Sequence, residues 1–304
     1  MHEQHQAHRP HAHGNYGRAF FIGIVLNLAY VGGGAVAGII SGSLALVADA
    51  GHNLGDVLGL SLSWGAAVLS RRSPSGRFTY GLRSSSILAA LANAIILLVV
   101  TGGIAWEAIW RIAHPAPVAS RIMIVVAAAG ILVNGVTALL FASGHPHELN
   151  VKSAFLHMAA DTLVTASVAA VGVAIWATGR AWLDPAVSLA ISVVIVIGTW
   201  GLVKSAIGLA LGAVPEGVDI AAVRAHLLAL PGVSGLHDLH IWGMSTTETA
   251  LTCHLVIPGG HPGDAVLNGI AEQLHHRFGI EHTTLQIELA DADQVCALTP
   301  EHVV

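Results

Sequence analysis

The sequence has little charge, few aromatic residues and only two cysteines. Charged residues make up 10% of its 304 residues, whereas hydrophobic residues make up 54%. A soluble protein of this length carries more charge on its surface, so a purely soluble class is excluded. The formal net charge of -5 gives no reason to expect nucleic acid as a partner. Cys253 and Cys296 lie far apart without a Cys-x-x-Cys pair, which indicates neither a disulfide framework nor a thiolate zinc site.

Two sequence motifs are also missing. The sequence contains no His-Glu-x-x-His, so a membrane metallohydrolase is disfavoured, because such an enzyme needs a general base beside its metal. It contains no Gly-x-x-x-x-Gly-Lys-Ser/Thr phosphate-binding loop, so a pump driven by ATP is disfavoured as well. These two absences point away from a metallohydrolase and from an ATP-driven pump.

Long apolar runs fill the first two-thirds of the chain. Each reaches the ~20 residues that a helix needs to cross a bilayer. The runs are Tyr16–Ile40, Leu44–Leu69, Ser84–Trp110, Ile122–Phe141, Val151–Ala177 and Leu183–Ile207. We therefore predict an all-α transmembrane domain of six helices over residues 16–210, preceded by a histidine-rich, disordered tail over residues 1–15.

Lysine and arginine in the connecting segments predict the orientation, because these residues are enriched on the cytoplasmic side. One set of segments holds Arg9, Arg18, Arg71, Arg72, Arg77, Arg83, Lys152 and Lys204. The opposite set holds only Arg111, Arg121 and Arg180. Both termini are therefore expected in the cytoplasm, as an even number of spans requires. We expect an integral protein of a bacterial inner membrane.

The character of the sequence changes from Pro215 onward. The pattern predicts a helix over Asp219–Leu230, two strands over Val233–Trp242 and Thr247–Ile257, a helix over Asp264–Phe278, and a strand over Thr283–Leu289. This α-β-β-α-β order predicts a small cytoplasmic α+β domain, of the ferredoxin-like kind, over residues 211–290. Residues 291–304 form a C-terminal tail.

Acidic residues inside the apolar runs need an explanation. Asp49, His52 and Asp56 share one helical face in the second run, and His157 and Asp161 lie four residues apart in the fifth. An ionised Asp at the bilayer centre costs about 2.5–3.5 kcal/mol on insertion scales, so such residues are usually functional. Hydrogen bonds that only tie the helices together are the alternative interpretation.

Two imidazoles and two carboxylates form a four-coordinate set that suits Zn²⁺. We predict that His52, Asp56, His157 and Asp161 form a transport site, and that Asp49 supports the site or pairs helices. With neutral histidines and ionised aspartates the site carries two negative charges, which one divalent cation or two protons cancel. Competition between metal and protons is the physical basis of antiport. Co²⁺, Cd²⁺ and Ni²⁺ accept the same ligands.

Seven segments in order resemble the cation diffusion facilitator family of zinc transporters. They are SGSLALVADAGHNLGD, YGLRSSSILAALANA, LNVKSAFLHMAAD, WLDPAVSL, PEGVD, LHDLHIW and TTLQIE. The resemblance implies a homodimer of six-helix protomers with a ferredoxin-like cytoplasmic domain, exchanging metal for protons. It places the transport site on His52, Asp56, His157 and Asp161.

The resemblance also implies a regulatory metal site in the cytoplasmic domain. Its family positions match His237, His254 and Glu288, while the fourth ligand stays open between Asp264 and either Glu281 or His282. Surface histidines without a metal are the alternative interpretation.

Five histidines lie in the N-terminal tail: His2, His5, His8, His11 and His13. Their irregular spacing predicts weak collection of metal ions rather than a defined site. A membrane-bound metal sensor that binds metal without transport is the alternative function, because a cytoplasmic site can sense metal while an intramembrane site only stabilises the helices.

Overall fold

The structure, a computed structural model, describes residues 16–70, 72–142 and 149–289, together with Cys296 and Leu298. Within the helices, the side chains of residues 16–27, 60, 63, 67, 137–142 and 149–158 lie outside this description. In chain order the elements are α1 (Tyr16–Ser41), α2 (Leu44–Ser70), α3 (Ser85–Ala113), α4 (Ser120–Ala142), α5 (Leu149–Thr178), α6 (Leu183–Ala210), α7 (Ile220–Leu228), β1 (Gly235–Gly243), β2 (Thr249–Val256), α8 (Asp264–Phe278) and β3 (His282–Glu288).

A long helix occupies each of the six apolar runs. Among the described residues, three helical segments are long and apolar enough to cross a bilayer, namely Ser85–Ala113, Ala159–Thr178 and Leu183–Ala210. The apolar segments Leu28–Ser41 and Ser120–Val136 are shorter. The prediction of six crossings therefore stays a prediction for the other helices.

The described chain divides into two compact units. The first contains the described residues up to Val57 together with Val99–Val196. In this unit α4 packs against both α1 and α5. Gly172 of α5 allows a close approach to α4, because a Cβ at that position would stand 2.9 Å from Cγ1 of Ile124.

The turn between α1 and α2 depends on a side chain from far along the sequence. Gly42 adopts a φ of 70°, and Ser43 N donates to Gly38 O, which ends α1 in a left-handed glycine cap. The Asp184 carboxylate accepts from Leu44 N at 2.7 Å and Ala45 N at 3.3 Å, and also from the Ser43 hydroxyl. Asp184 therefore caps α2. Asp184 itself lies on α6, which begins one residue earlier, at Leu183.

The second unit contains Leu58–Leu98 and the described residues from Ile197 onward. Its last part is a three-stranded sheet in which β1 pairs antiparallel with β2, and β2 pairs parallel with β3. The helices α7 and α8 bury apolar residues against one face of this sheet. The buried residues of this hydrophobic core are Val223, Leu227, Ile241, Leu251, Cys253, Leu255, Ile257, Ile270, Leu274 and Ile280. The element order α7-β1-β2-α8-β3 is the one that the sequence predicts.

Side chains alternate between the two faces of each strand, which separates the core from the residues of interest. On β2, Cys253 lies in the core under the helices, whereas the next residue, His254, belongs to the opposite face. On β1 the pairing shifts between His237 and His240, and Asp238 in this bulge has a φ of 50°. Such irregularities redirect side chains locally.

Candidate metal sites

His52 and Asp56 of α2 converge with Asp161 of α5. His52 Nε2 lies 3.2 Å from Asp161 Oδ1 and 3.8 Å from Asp56 Oδ2. One ligand atom from each residue can be chosen so that all three lie within 4.8 Å of one another. The Asp161 side chain is only 2% exposed. The four-residue spacing on α2 thus brings two candidate ligand side chains together, and α5 brings the third.

His157, the fourth residue predicted for this site, lies in α5 one helical turn before Asp161. Its side chain is outside the described residues. Residues four apart lie on the same helical face, so the backbone of α5 places His157 on the face that carries Asp161.

Asp49 lies outside the group of three but supports the two helices that form it. Its buried carboxylate accepts hydrogen bonds from Tyr30 Oη at 2.6 Å and from Thr165 Oγ1 at 2.9 Å. Tyr30 belongs to α1, and Thr165 lies one turn after Asp161 on α5. Asp49 therefore ties α2 to both α1 and α5, which holds His52 and Asp161 together.

Tyr30 reaches Asp49 because α4 has a glycine beside it. A Cβ built on Gly130 would stand 2.3 Å from Tyr30 Oη and 2.3 Å from its Cζ. No side chain other than hydrogen fits beside the ring in this position. Gly135, on the same helix, has open space around the equivalent position.

A second group lies on the sheet, on the face opposite the helices. His237 of β1 and His254 of β2 are paired directly across the two strands. His254 Nδ1 lies 2.9 Å from Glu288 Oε1, and His237 Nε2 lies 3.2 Å from Glu288 Oε2. Cys296 Sγ is 3.6 Å from His254 Nδ1. One ligand atom from each of these four residues can be chosen within 4.8 Å of the others.

Asp238 orients His254 from the side away from the group. Asp238 Oδ2 lies 3.4 Å from His254 Nε2, and Asp238 Oδ1 lies 2.9 Å from His240 Nε2. In a regular strand Asp238 would point to the face opposite His237. The bulge and the positive φ of Asp238 instead bring its carboxylate to His254, the residue that is paired with His237 across the two strands. A carboxylate on one ring nitrogen favours the tautomer that leaves the other nitrogen available as a ligand.

The described structure does not bring Asp264 and His282 into this group, although the sequence offered both as fourth ligands. Asp264 is exposed in the first turn of α8. His282 starts β3 opposite Ala250, and its ring meets Tyr80 edge to face at 5.5 Å. Glu288 lies six positions further along the strand, roughly 20 Å at the usual rise per residue. Glu281, the other alternative, accepts a hydrogen bond from Thr249 N at 2.7 Å.

Sequence reasoning missed two residues of this region. No prediction included Cys296, which has no second cysteine nearby, or Asp238. The histidines of the N-terminal tail, His2, His5, His8, His11 and His13, lie outside the described residues.

Two groups on the strands of the cytoplasmic domain, Glu288 and Cys253, have altered acidity. Burial alone would raise the pKa of the Glu288 carboxyl, but hydrogen bonds from Cys296 and Gln286 and the charges of His237 and His254 outweigh it, so this pKa lies below its ordinary value. Burial, with a smaller contribution from Asp238, raises the pKa of the Cys253 thiol to about 12. Cys253 is therefore a protonated core residue at neutral pH.

The sequence of both regions matches known families. Residues 20–209 match the model described as the cation efflux transmembrane domain, and residues 215–290 match that of the cation efflux protein cytoplasmic domain. The chain belongs to the cation diffusion facilitator family. Its family places it among membrane proteins of divalent metal efflux. The match of the cytoplasmic domain to a dimerisation domain supports the predicted homodimer.

Relatives of this cation efflux protein cover nearly its whole length. The cation efflux system protein CzcD of Alcaligenes sp. (strain CT14) is 35% identical over 291 residues, which span 94% of this chain and 92% of CzcD. The zinc transporter ZitB of Escherichia coli (strain K12) is 38% identical over 83% of this chain and 81% of ZitB. The cadmium, cobalt and zinc/H(+)-K(+) antiporter of Bacillus subtilis (strain 168) is 29% identical over 91% of each chain.

Proposed function

We propose that the protein exports divalent transition metal ions, zinc first, from the cytoplasm in exchange for protons. The observation that carries this proposal is the convergence of His52, Asp56 and Asp161 between two apolar helices. His157, on the same face of α5 as Asp161, is the fourth ligand of the proposed transport site. Two nitrogen and two oxygen ligands match the coordination that zinc accepts.

Charge balance explains why metal and protons would compete for this site. Two ionised aspartates in a low dielectric are costly when nothing compensates them. A divalent cation removes that cost, and so does protonation, which also weakens metal binding. Alternating access would load metal from the cytoplasm and protons from the opposite side. The relative named cadmium, cobalt and zinc/H(+)-K(+) antiporter supports an exchange of metal ions for protons.

The proposed topology places all six long helices across a bacterial inner membrane, with both termini in the cytoplasm. Large apolar side chains on their surfaces fit a hydrocarbon environment: Trp106 is 75% exposed, Ile39 74%, Trp64 73% and Ile197 71%. In this arrangement residues 16–210 form the membrane domain and residues 211–290 a ferredoxin-like cytoplasmic domain, with tails over 1–15 and 291–304.

Several divalent metal ions fit the ligand types of the proposed transport site. Imidazole and carboxylate also bind Co²⁺, Cd²⁺ and Ni²⁺, and selectivity depends on geometry as well as raw affinity. Zinc stands first because the relatives from several bacteria are named zinc transporters. Uptake of Zn²⁺, Co²⁺, Cd²⁺, Ni²⁺ and Mn²⁺ into proteoliposomes, measured side by side, would rank these ions.

Replacing Asp161 with asparagine tests the transport site. The amide cannot carry the charge that metal and protons share, so zinc flux into proteoliposomes should fall by at least roughly 100-fold, more than the loss of a supporting hydrogen bond produces. Asp264→Asn, the same change at an exposed position, is the control and should keep full flux. Undiminished flux in Asp161→Asn would refute the site. Zinc flux that ignores an imposed pH gradient would refute the coupling to protons.

The sheet group favours a second candidate, a metal sensor without transport, because His237, His254 and Glu288 lie close enough to hold an ion independently of the membrane helices. Asp161→Asn separates the two functions in cells. A transporter loses metal tolerance with this change, whereas a sensor with an intact cytoplasmic domain keeps its response.

A further inference from the structure

The two cysteines of the chain have different surroundings. Cys253 is 1% exposed and lies in the core between the sheet and the helices. Cys296 is partly exposed, follows Glu288 by eight residues, and approaches the opposite face of the sheet. Its sulfur lies 3.6 Å from His254 Nδ1 and belongs to the same cluster as His237 and Glu288.

A buried nitrogen in this cluster points to a cation. His237 is only 8% exposed, and its Nε2 has no hydrogen-bond partner of suitable geometry among the described residues, although it lies 3.2 Å from Glu288 Oε2. A buried polar atom without a hydrogen bond destabilises the folded protein, because it has lost its hydration without a replacement. A metal ion between the imidazole and the carboxylate would remove that cost.

The spacing of the ligand atoms fits a small tetrahedral ion. Around zinc, with bonds of about 2.0–2.3 Å, neighbouring ligand atoms lie about 3.3–3.8 Å apart. The distances 2.9, 3.2 and 3.6 Å that join His254 to Glu288, His237 to Glu288, and Cys296 to His254 are close to this range. The ligand atoms of the other pairs can be chosen within 4.8 Å of one another.

The neighbouring carboxylate prepares the histidine that faces Cys296. Asp238 occupies the Nε2 side of His254, so Nδ1 is the nitrogen that faces Glu288 and the sulfur. This is the arrangement in which a carboxylate fixes the tautomer of a metal-binding histidine.

We propose that the Cys296 thiolate completes a cytoplasmic metal site with His237, His254 and Glu288, and that this site selects soft divalent ions such as Zn²⁺ and Cd²⁺. The thiol releases its proton to solvent on binding, so two neutral imidazoles, one carboxylate and one thiolate carry two negative charges, which the ion cancels. Thiolate ligands disfavour Mg²⁺ and Mn²⁺, which prefer oxygen. The bound ion would hold Cys296 against the end of β3. A regulatory meaning for this site rests on the proposed transport function, whereas its existence does not.

Alkylation of the full-length protein in detergent tests the proposal without any variant. Iodoacetamide should modify Cys296 in metal-free protein, and saturating Cd²⁺ or Zn²⁺ should slow that reaction at least tenfold when followed by peptide mass spectrometry. Mg²⁺ should give no protection. Cys253, buried and protonated, is the internal control for folding and should stay unmodified throughout. An alkylation rate of Cys296 that does not change with saturating cadmium overturns the proposal.

Variants of the proposed ligands test whether the metal that protects Cys296 from alkylation is bound by these residues. His237→Ala and Glu288→Gln should abolish the protection of Cys296, whereas Asp161→Asn, in the proposed transport site, should retain it. Protection that persists in both His237→Ala and Glu288→Gln overturns the ligand set. Co²⁺ bound to the wild-type protein should show a sulfur-to-metal charge-transfer band that Cys296→Ser removes; a band that survives this change overturns the role of Cys296. Because protection does not depend on flux, this site and the transport site can fail separately.

Discussion

The membrane helices and the cytoplasmic sheet bring ligands together in different ways. On α2, His52 and Asp56 share a helical face because they are four residues apart, so that the pair can be recognised in the sequence. On the sheet, His237 and His254 meet because β1 and β2 pair in one particular register. Ligands that share a helical face can therefore be recognised from their spacing in the sequence. Ligands that meet across two strands depend on the strand register, which their spacing in the sequence does not determine.

The two groups also differ in their ligand atoms. The membrane group has two carboxylates, whose charge either metal or protons can neutralise, which suits an ion that must be released. The sheet group has one carboxylate, two imidazoles and a thiol, a set that favours tight binding of a soft ion. Each has a supporting aspartate: Asp49 beside the membrane group and Asp238 beside the sheet group.

Gly130→Ala should separate the two regions most strongly. The added methyl group would stand 2.3 Å from the Tyr30 ring, so the ring must move and its hydrogen bond to Asp49 is lost. Overpacking of this kind costs about 1–3 kcal/mol, which thermal unfolding in detergent measures. Zinc flux should fall, while metal protection of Cys296 should stay.

Gly135→Ala is the matched control on α4, because its surroundings are open, and it should change neither stability nor flux. If Gly130→Ala transports zinc at the normal rate, the Tyr30–Asp49 hydrogen bond does not support the transport site.

Asp238→Asn should affect the sheet group alone. Loss of the carboxylate beside His254 removes the group that fixes its tautomer, so cadmium affinity should fall about 10–100-fold. The cadmium concentration that half-protects Cys296 from alkylation measures this change. The exposed Asp264→Asn variant should behave as wild type. An unchanged half-protecting concentration in Asp238→Asn would show that Asp238 does not position His254.

Deletion of residues 2–13 should have the smallest effect. The five histidines of this tail are predicted to collect metal on the cytoplasmic side, so the deletion should raise the half-saturating zinc concentration by a few-fold and leave the maximal rate nearly unchanged. Replacing only those histidines with glutamine should reproduce the effect at full tail length. Complete loss of transport would contradict a role limited to metal collection.

The sequence predicted the elements well, because apolar length and period govern them. The αββαβ order of the cytoplasmic domain, and the pairs of polar residues on α2 and α5, follow from local spacing alone. Three features could not be predicted. Cys296 is brought to the sheet by a segment without regular periodicity, and Asp238 acts through a bulge that breaks strand alternation. Asp184 caps a helix that begins 140 residues before it, and no local rule connects the two.

That cap has a consequence for motion in the membrane. The carboxylate of Asp184, near the start of α6, accepts hydrogen bonds from the Ser43 hydroxyl and from Leu44 N and Ala45 N. These hydrogen bonds link the first turn of α6 to the first turn of α2. Arg111 adds a bond of 2.7 Å to the Gly42 carbonyl in the turn before α2. In the proposed alternating access, a movement that exposes His52 to the other side of the membrane would carry these two helix ends together.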